Sequence, residues 1–222
     1  MSDDSFIREV NEEIRTDQAK ALWERYGAYV VGAAIALVLG TGAWVGWDYW
    51  TQSQANASGD RFSQALALAK DGKHDEALVE LQALETSGYG NYPVLARLRA
   101  ATVLVAQDKN AEAVAEFDAV VADTAVPQPV RDMARLRAGY VLVDHGSYAD
   151  VAARVETRTS EANTLRHAAR EALGLSAWKE GRSADALTLF EQVASDAAAP
   201  RNSRERATLM AELIRGGGSA GN

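Results

Sequence analysis

Three histidines, His74, His145 and His167, and a handful of paired acids are the side chains here from which chemistry would have to be built. A metal site needs donors at short, regular spacing, whereas these histidines are scattered and two of them fall in expected turns between helices, where water satisfies them. The acidic pairs Glu12-Glu13 and Asp75-Glu76 lie on expected exposed helix faces, so they read as solvating charge. The chain has no cysteine, which removes the thiolate as nucleophile or ligand. Gly216 to Gly218 form a tail and not the strand-to-helix turn that cradles phosphate. No catalytic, cofactor-binding or metal site is predicted, and the chain is read as a non-enzyme. A formal net charge of -8 argues against nucleic acid as a partner, because that ligand wants a basic face.

One charged feature does recur. Arginine occupies the same place in four successive segments, at Arg61, Arg97, Arg135 and Arg170. Two readings stand. In one, Arg97, Arg135 and Arg170 form a basic ladder on the first helix of each segment and bind carboxylates of a polypeptide partner. In the other, each stem packs along the neighbouring helix and each head pairs with an acid of the next segment.

The elements that carry these arginines follow from the repeat. A small or branched residue recurs at Ala77, Ala113, Val151 and Ala186, at a period of 35 to 38 residues, and three of the four stand six residues after the turn pairs Asp71-Gly72, His145-Gly146 and Glu180-Gly181 begin. Twelve positions earlier stands a residue with almost no side chain (Ala65, Ala101, Gly139, Gly174), and four positions later a larger apolar one (Leu81, Phe117, Val155, Phe190). Two helices approach closely only where small residues meet, so each segment is a helix pair and the whole an all-α solenoid. The expected helices are 57–71 and 74–86, 92–107 and 110–123, 129–144 and 147–160, 163–180 and 183–196, and a closing helix at 202–214. The spacing resembles the tetratricopeptide repeat. It departs from that pattern in having arginine for the early tryptophan, and Leu68, Leu104, Leu142 and Ala177 for the tyrosine.

Ahead of the repeats, Ala28 to Trp47 is a run of 20 residues without a charge. As a helix it reaches about 30 Å, the thickness of a bilayer's hydrocarbon core. Its length and its mixed-charge N-terminal flank mark a retained anchor and not a cleaved leader. Four basic residues precede it (Arg8, Arg15, Lys20, Arg25) and one, Arg61, follows closely, which places the N-terminus in the cytoplasm and the repeats across the membrane. Aromatic residues mark both borders: Trp23, Tyr26 and Tyr29 on one side, Trp44, Trp47, Tyr49 and Trp50 on the other. Gly32, Ala36 and Gly40, at four-residue spacing, offer a second transmembrane helix a close approach.

The resulting organisation is a cytoplasmic amphipathic helix at 1–25, striped by Phe6, Val10, Ile14, Leu22 and Tyr26, a transmembrane helix at 26–50, a linker at 51–60, a tetratricopeptide repeat-like periplasmic domain at 61–214 and a flexible tail at 215–222. With FIREVNEEIRTDQAKALWERYG before the span and WVGWDYW closing it, the chain resembles the ancillary Sec translocon subunit family, bitopic bacterial inner-membrane proteins with a tetratricopeptide repeat-like periplasmic domain. The resemblance implies association with the Sec translocon and periplasmic chaperones, and help for exported polypeptides as they emerge. A structural scaffold for another inner-membrane envelope complex is the competing expectation.

Overall fold

The computed structural model describes residues 3–217, with side chains for residue 20 and residues 22–217. Phe6, Val10 and Ile14 of the expected amphipathic stripe lie outside the described side chains, and positions 218–222 of the expected tail lie outside the described residues. The described residues form nine α-helices and no strand, so the all-α expectation holds. They divide into two compact units at Asn56.

The first unit is the N-terminal part of α1 (Asp3–Lys70). Its apolar side chains are exposed all round the helix, among them Val31, Ile35, Leu37, Leu39 and Trp44. In water such a surface is costly; in lipid it is matched. The stretch is long and apolar enough to cross a membrane, with a mean hydropathy of 1.9 and none of its apolar window buried by protein. Thr41 Oγ1, near its middle, donates to the Leu37 carbonyl at 2.8 Å, so that polar group is satisfied inside its own helix. Residues 51–60, expected as a linker, are helical and belong to α1. They contain no proline and only Gly59 as a weak breaker, while Gln52 and Asn56 bond to each other one turn apart at 3.1 Å.

The second unit starts with the last residues of α1 and continues through α2 (His74–Ser87), α3 (Tyr92–Ala106), α4 (Asn110–Ala122), α5 (Gln128–His145), α6 (Tyr148–Val155), a 3₁₀ turn at Glu156–Arg158, α7 (Arg166–Lys179), α8 (Ser183–Ser195) and α9 (Arg201–Arg215). Consecutive helices pack on one another, and the core runs as a chain of apolar clusters. The small residues sit at the crossings. Ala65, Ala77, Ala101, Ala113, Val151 and Ala186 are fully enclosed. A Cβ added to Gly139 would stand 2.7 Å from Val155 Cγ1, and one added to Gly174 would meet the Phe190 ring at 3.0 to 3.2 Å. The small residue of each first helix therefore makes room for the large residue of the second, one turn beyond its small partner.

Three of the turns inside pairs are built alike. Lys73, Lys109 and Arg182 donate their N–H groups to the carbonyls of Leu68, Leu104 and Ala177, a six-residue closure that ends a helix through a left-handed residue. That residue is Gly72 at φ +78°, Asp108 at φ +59° and Gly181 at φ +73°. The third pair differs. Gly146 is extended, and Ser147 instead starts α6 with a capping box in which Asp150 answers the Ser147 backbone. Neighbouring pairs are stapled through the same turns. Lys179 Nζ donates to the Val143 carbonyl at 3.0 Å, Glu180 Oε1 accepts the Tyr148 N–H at 2.6 Å, and Gln107 donates to Asp75 at 2.8 Å. Helix α6 ends at Val155 instead of 160, and α7 begins at Arg166 instead of 163. Asn163 accepts the Leu165 N–H at 2.8 Å, an Asx turn that holds the chain out of the helix until Arg166.

Candidate functional site

The repeated arginines of the expected ladder are each held by the protein's own carboxylates. Arg97 Nε on α3 lies 3.5 Å from both Glu85 on α2 and Glu116 on α4, and so bridges two pairs. Burial, followed by the nearby Glu116 charge, pushes the Glu85 carboxyl above its ordinary value. Arg135 pairs with Asp132 one turn back at 2.9 Å, and Arg158 reaches the same carboxylate at 2.8 Å. Arg170 is buried and bonds to Glu161. Arg61 is exposed at the start of the repeats. Arg97, Arg135 and Arg170 thus enter separate ion pairs, and their acids lie in the preceding pair, the same pair or the preceding loop instead of the next segment, because those are the carboxylates that helix packing brings within reach.

Two other arginines do come together. The sequence Ala-Arg-Leu-Arg-Ala occurs twice, at 96–100 on α3 and at 134–138 on α5, and its second arginines are Arg99 and Arg137. Two residues along a helix is a rotation of about 200°, so Arg99 faces away from Arg97, and Arg137 from Arg135. Arg99 and Arg137 line one open groove of about 360 Å³ together with Thr102, Val105, Phe117, Tyr140 and Val141. Neither forms an ion pair among the described residues, and the Arg99 Nε is shielded from solvent without a hydrogen-bond acceptor. Tyr140 Oη donates to the Ala168 carbonyl at 3.2 Å, and burial, helped by the nearby Glu171, pushes its pKa up to about 12. Its hydroxyl stays neutral and fixed. Sequence reasoning missed this pair because it followed the arginine common to all four segments. The exact repetition of the pentapeptide was the available signal.

His167 is the histidine not expected in a turn. It is buried, and its Nε2 lies 2.7 Å from Asp196 Oδ2. Arg166 donates to the same oxygen through Nε and Nη2 at 3.1 and 2.9 Å, and the Ala198 N–H reaches Oδ1 at 2.8 Å. The His167 bond foremost, then the Ala198 N–H and Arg166, hold the Asp196 carboxyl far below the usual carboxylate range. With every acceptor occupied, this cluster ties α7 to the end of α8. Nearby, Arg206 on α9 forks onto Glu171 on α7 at 2.7 and 2.9 Å and closes the last helix onto the repeat. His74 begins α2 and His145 ends α5. Among the described residues no cluster of three or more metal-ligating side chains occurs.

In the first unit, Gly32, Ala36 and Gly40 are all exposed, and a Cβ added at Gly32 or Gly40 would meet nothing within 4 Å. That face of the helix is open.

Comparison with known proteins agrees with this architecture. The ancillary SecYEG translocon subunit of Escherichia coli strain K12 is 26% identical to the chain over 115 residues, which is 50% of this chain and 55% of that protein. The chain thus spans about half the length of the curated relative it matches. No solved structure matches it. Residues 20–213 match the family described as tetratricopeptide repeat-like domain, a range that takes in the apolar helix as well as every helix pair. With most of its length matched, and with small residues at each crossing as the repeat requires, the chain belongs to the tetratricopeptide repeat-like domain family.

Proposed function

We propose that this protein is a single-pass inner-membrane interaction protein, without enzymatic activity, that associates with the Sec translocon and with periplasmic chaperones and assists exported polypeptides. The observation that carries this reading is one family match running through both an exposed apolar helix and a helical repeat domain. The similarity to an ancillary translocon subunit supports the choice of channel. The N-terminus is cytoplasmic and the repeat domain periplasmic, as the distribution of lysine and arginine about the span favours. The small-residue face at Gly32, Ala36 and Gly40 contacts a transmembrane helix of the channel. Tethering beside the channel raises the effective concentration of the repeat domain near emerging chains, so weak contacts suffice for many clients.

Co-purification from membranes tests the association. The tagged protein is expected to retain channel subunits, and Gly32→Leu with Gly40→Leu to weaken that retention. Recovery of a different envelope complex, with no channel subunits, would favour a scaffold and overturn the reading. Because the chain has no cysteine, topology is read with single introduced ones. Glu76→Cys is expected to react with an impermeant thiol reagent in intact spheroplasts and Lys20→Cys only after lysis.

A further inference from the structure

From the groove between α3 and α5 we infer a binding site for an acidic segment of a partner polypeptide, in which Arg99 and Arg137 take carboxylate side chains on either side of an apolar residue. The inference rests on the interaction role proposed above and gives that role a place and a chemistry.

The charge pattern is the first argument. The protein carries a net charge of -8, so free carboxylates are plentiful, yet the two arginines of this groove have none among the described residues. Three other grooves all mix signs. The one along α9 sets Arg201 and Arg204 beside Glu205 and Glu212, and Arg201 is already paired with Glu205 at 2.7 Å. Between α8 and α9 Arg215 is paired with Glu191 at 2.6 Å, and beside the α3–α4 turn Lys109 lies with Asp108 and Glu112. Two like charges on one groove without a counter-charge repel, and an anionic occupant removes that cost.

The lining is the second argument. Val105 and Val141 supply an apolar surface above the buried Phe117, while the Thr102 and Tyr140 hydroxyls already donate to the Leu98 and Ala168 carbonyls. A small inorganic anion would use the guanidinium groups and leave that apolar surface idle. A peptide with an apolar residue between carboxylates uses both, and about 360 Å³ is within the size range of ligand sites. Guanidinium is also the group best shaped for a carboxylate, through two parallel N–H bonds. The third argument is repetition. The pentapeptide that delivers these arginines occurs in the second and third segments, whereas the equivalent positions in the first and fourth are Ser63 and Ala172. The site is therefore local to the middle of the repeat domain and is not a general property of every pair.

The test uses the full chain in lipid nanodiscs and fluorescence anisotropy of three labelled peptides. The first carries Glu-Leu-Glu in its middle and an amidated C-terminus; the second replaces both Glu by Gln; the third keeps Gln-Leu-Gln and has a free C-terminal carboxylate. The first is expected to bind and the other two to bind at least tenfold more weakly. Arg99→Gln and Arg137→Gln are each expected to weaken binding of the first peptide roughly tenfold, and Arg201→Gln to leave it unchanged. Equal binding by the acidic and neutral peptides, or no effect of either groove substitution in variants whose melting is unaltered, would overturn the site. Tight binding by the third peptide alone would overturn the choice of side-chain carboxylates. Channel co-purification separates this from the reading beneath it: retention of the channel with no acidic-peptide binding defeats the groove alone, and loss of the channel defeats the translocon role.

Discussion

Adding one methyl group at Gly139 should change the sign of its effect when one neighbour is trimmed. A Cβ at this position of α5 would stand 2.7 Å from Val155 Cγ1, and Val155 is fully buried at the end of α6 against Leu136, Val151 and Leu173. A β-branched side chain in a helix has one strongly preferred rotamer, so the methyl cannot swing aside freely. Overpacking of this kind costs about 1–3 kcal/mol, while alanine in place of a helical glycine returns about 1 kcal/mol. Gly139→Ala alone should therefore destabilise by about 1 kcal/mol. Val155→Ala removes the obstructing methyl and costs about 2–3 kcal/mol through lost burial. In that background Gly139→Ala meets no obstacle and should stabilise by about 1 kcal/mol. The two changes are coupled by about 2 kcal/mol, in the direction of rescue. Thermal unfolding of the full chain in detergent micelles, followed by far-ultraviolet circular dichroism, reads this as a melting shift of about 2–4 °C down in the natural background and up in the Val155→Ala background. A rise in both backgrounds would refute the close approach of α5 and α6 at this crossing.

Phe190 fills the corresponding place in the fourth pair, fully buried against Gly174, and Phe190→Ala should cost about 3–5 kcal/mol, measured by the same melts. Asp196 gives a pH dependence. Its folded carboxyl lies below the value of about 3.9 it has when unfolded, so its stabilising contribution is present above that pH and is lost as the pH falls through the folded value. Asp196→Asn should lower the melting temperature at pH 6 and flatten its further fall below about pH 4. Parallel acid profiles for the natural protein and the variant would show that the His167 and Arg166 contacts do not carry this linkage.

Much of the repeat domain was legible because helix crossings impose a spacing on small residues that survives when other positions drift. Ala65, Ala101, Gly139 and Gly174 announced the first helices, and all of them are buried at crossings. The stretch 51–60 reads as a linker because it lies between the span and the first repeat, but that position does not stop a helix where no proline or capping group stops it. The late start of α7 depends on an Asx turn at Asn163, a local bond that competes with helix and leaves only a weak mark in sequence. The arginines show a different limit. Their recurrence was visible, but Arg97 meets acids 12 and 19 positions away and Arg170 one in the preceding loop, distances that only the packed structure fixes. The same holds for His167 and Asp196, which lie 29 residues apart. What separates a structural arginine from an available one is two residues of helix, the step from Arg97 to Arg99.

The translocon role is tested most directly by cross-linking in living cells from photoreactive residues placed at Gly40 in the apolar helix and at Thr102 in the groove, with products identified by mass spectrometry. Channel subunits are expected from the first position, and exported chains and periplasmic chaperones from the second. A fixed set of mature envelope proteins from both positions, with neither channel nor exported chains among them, would contradict it.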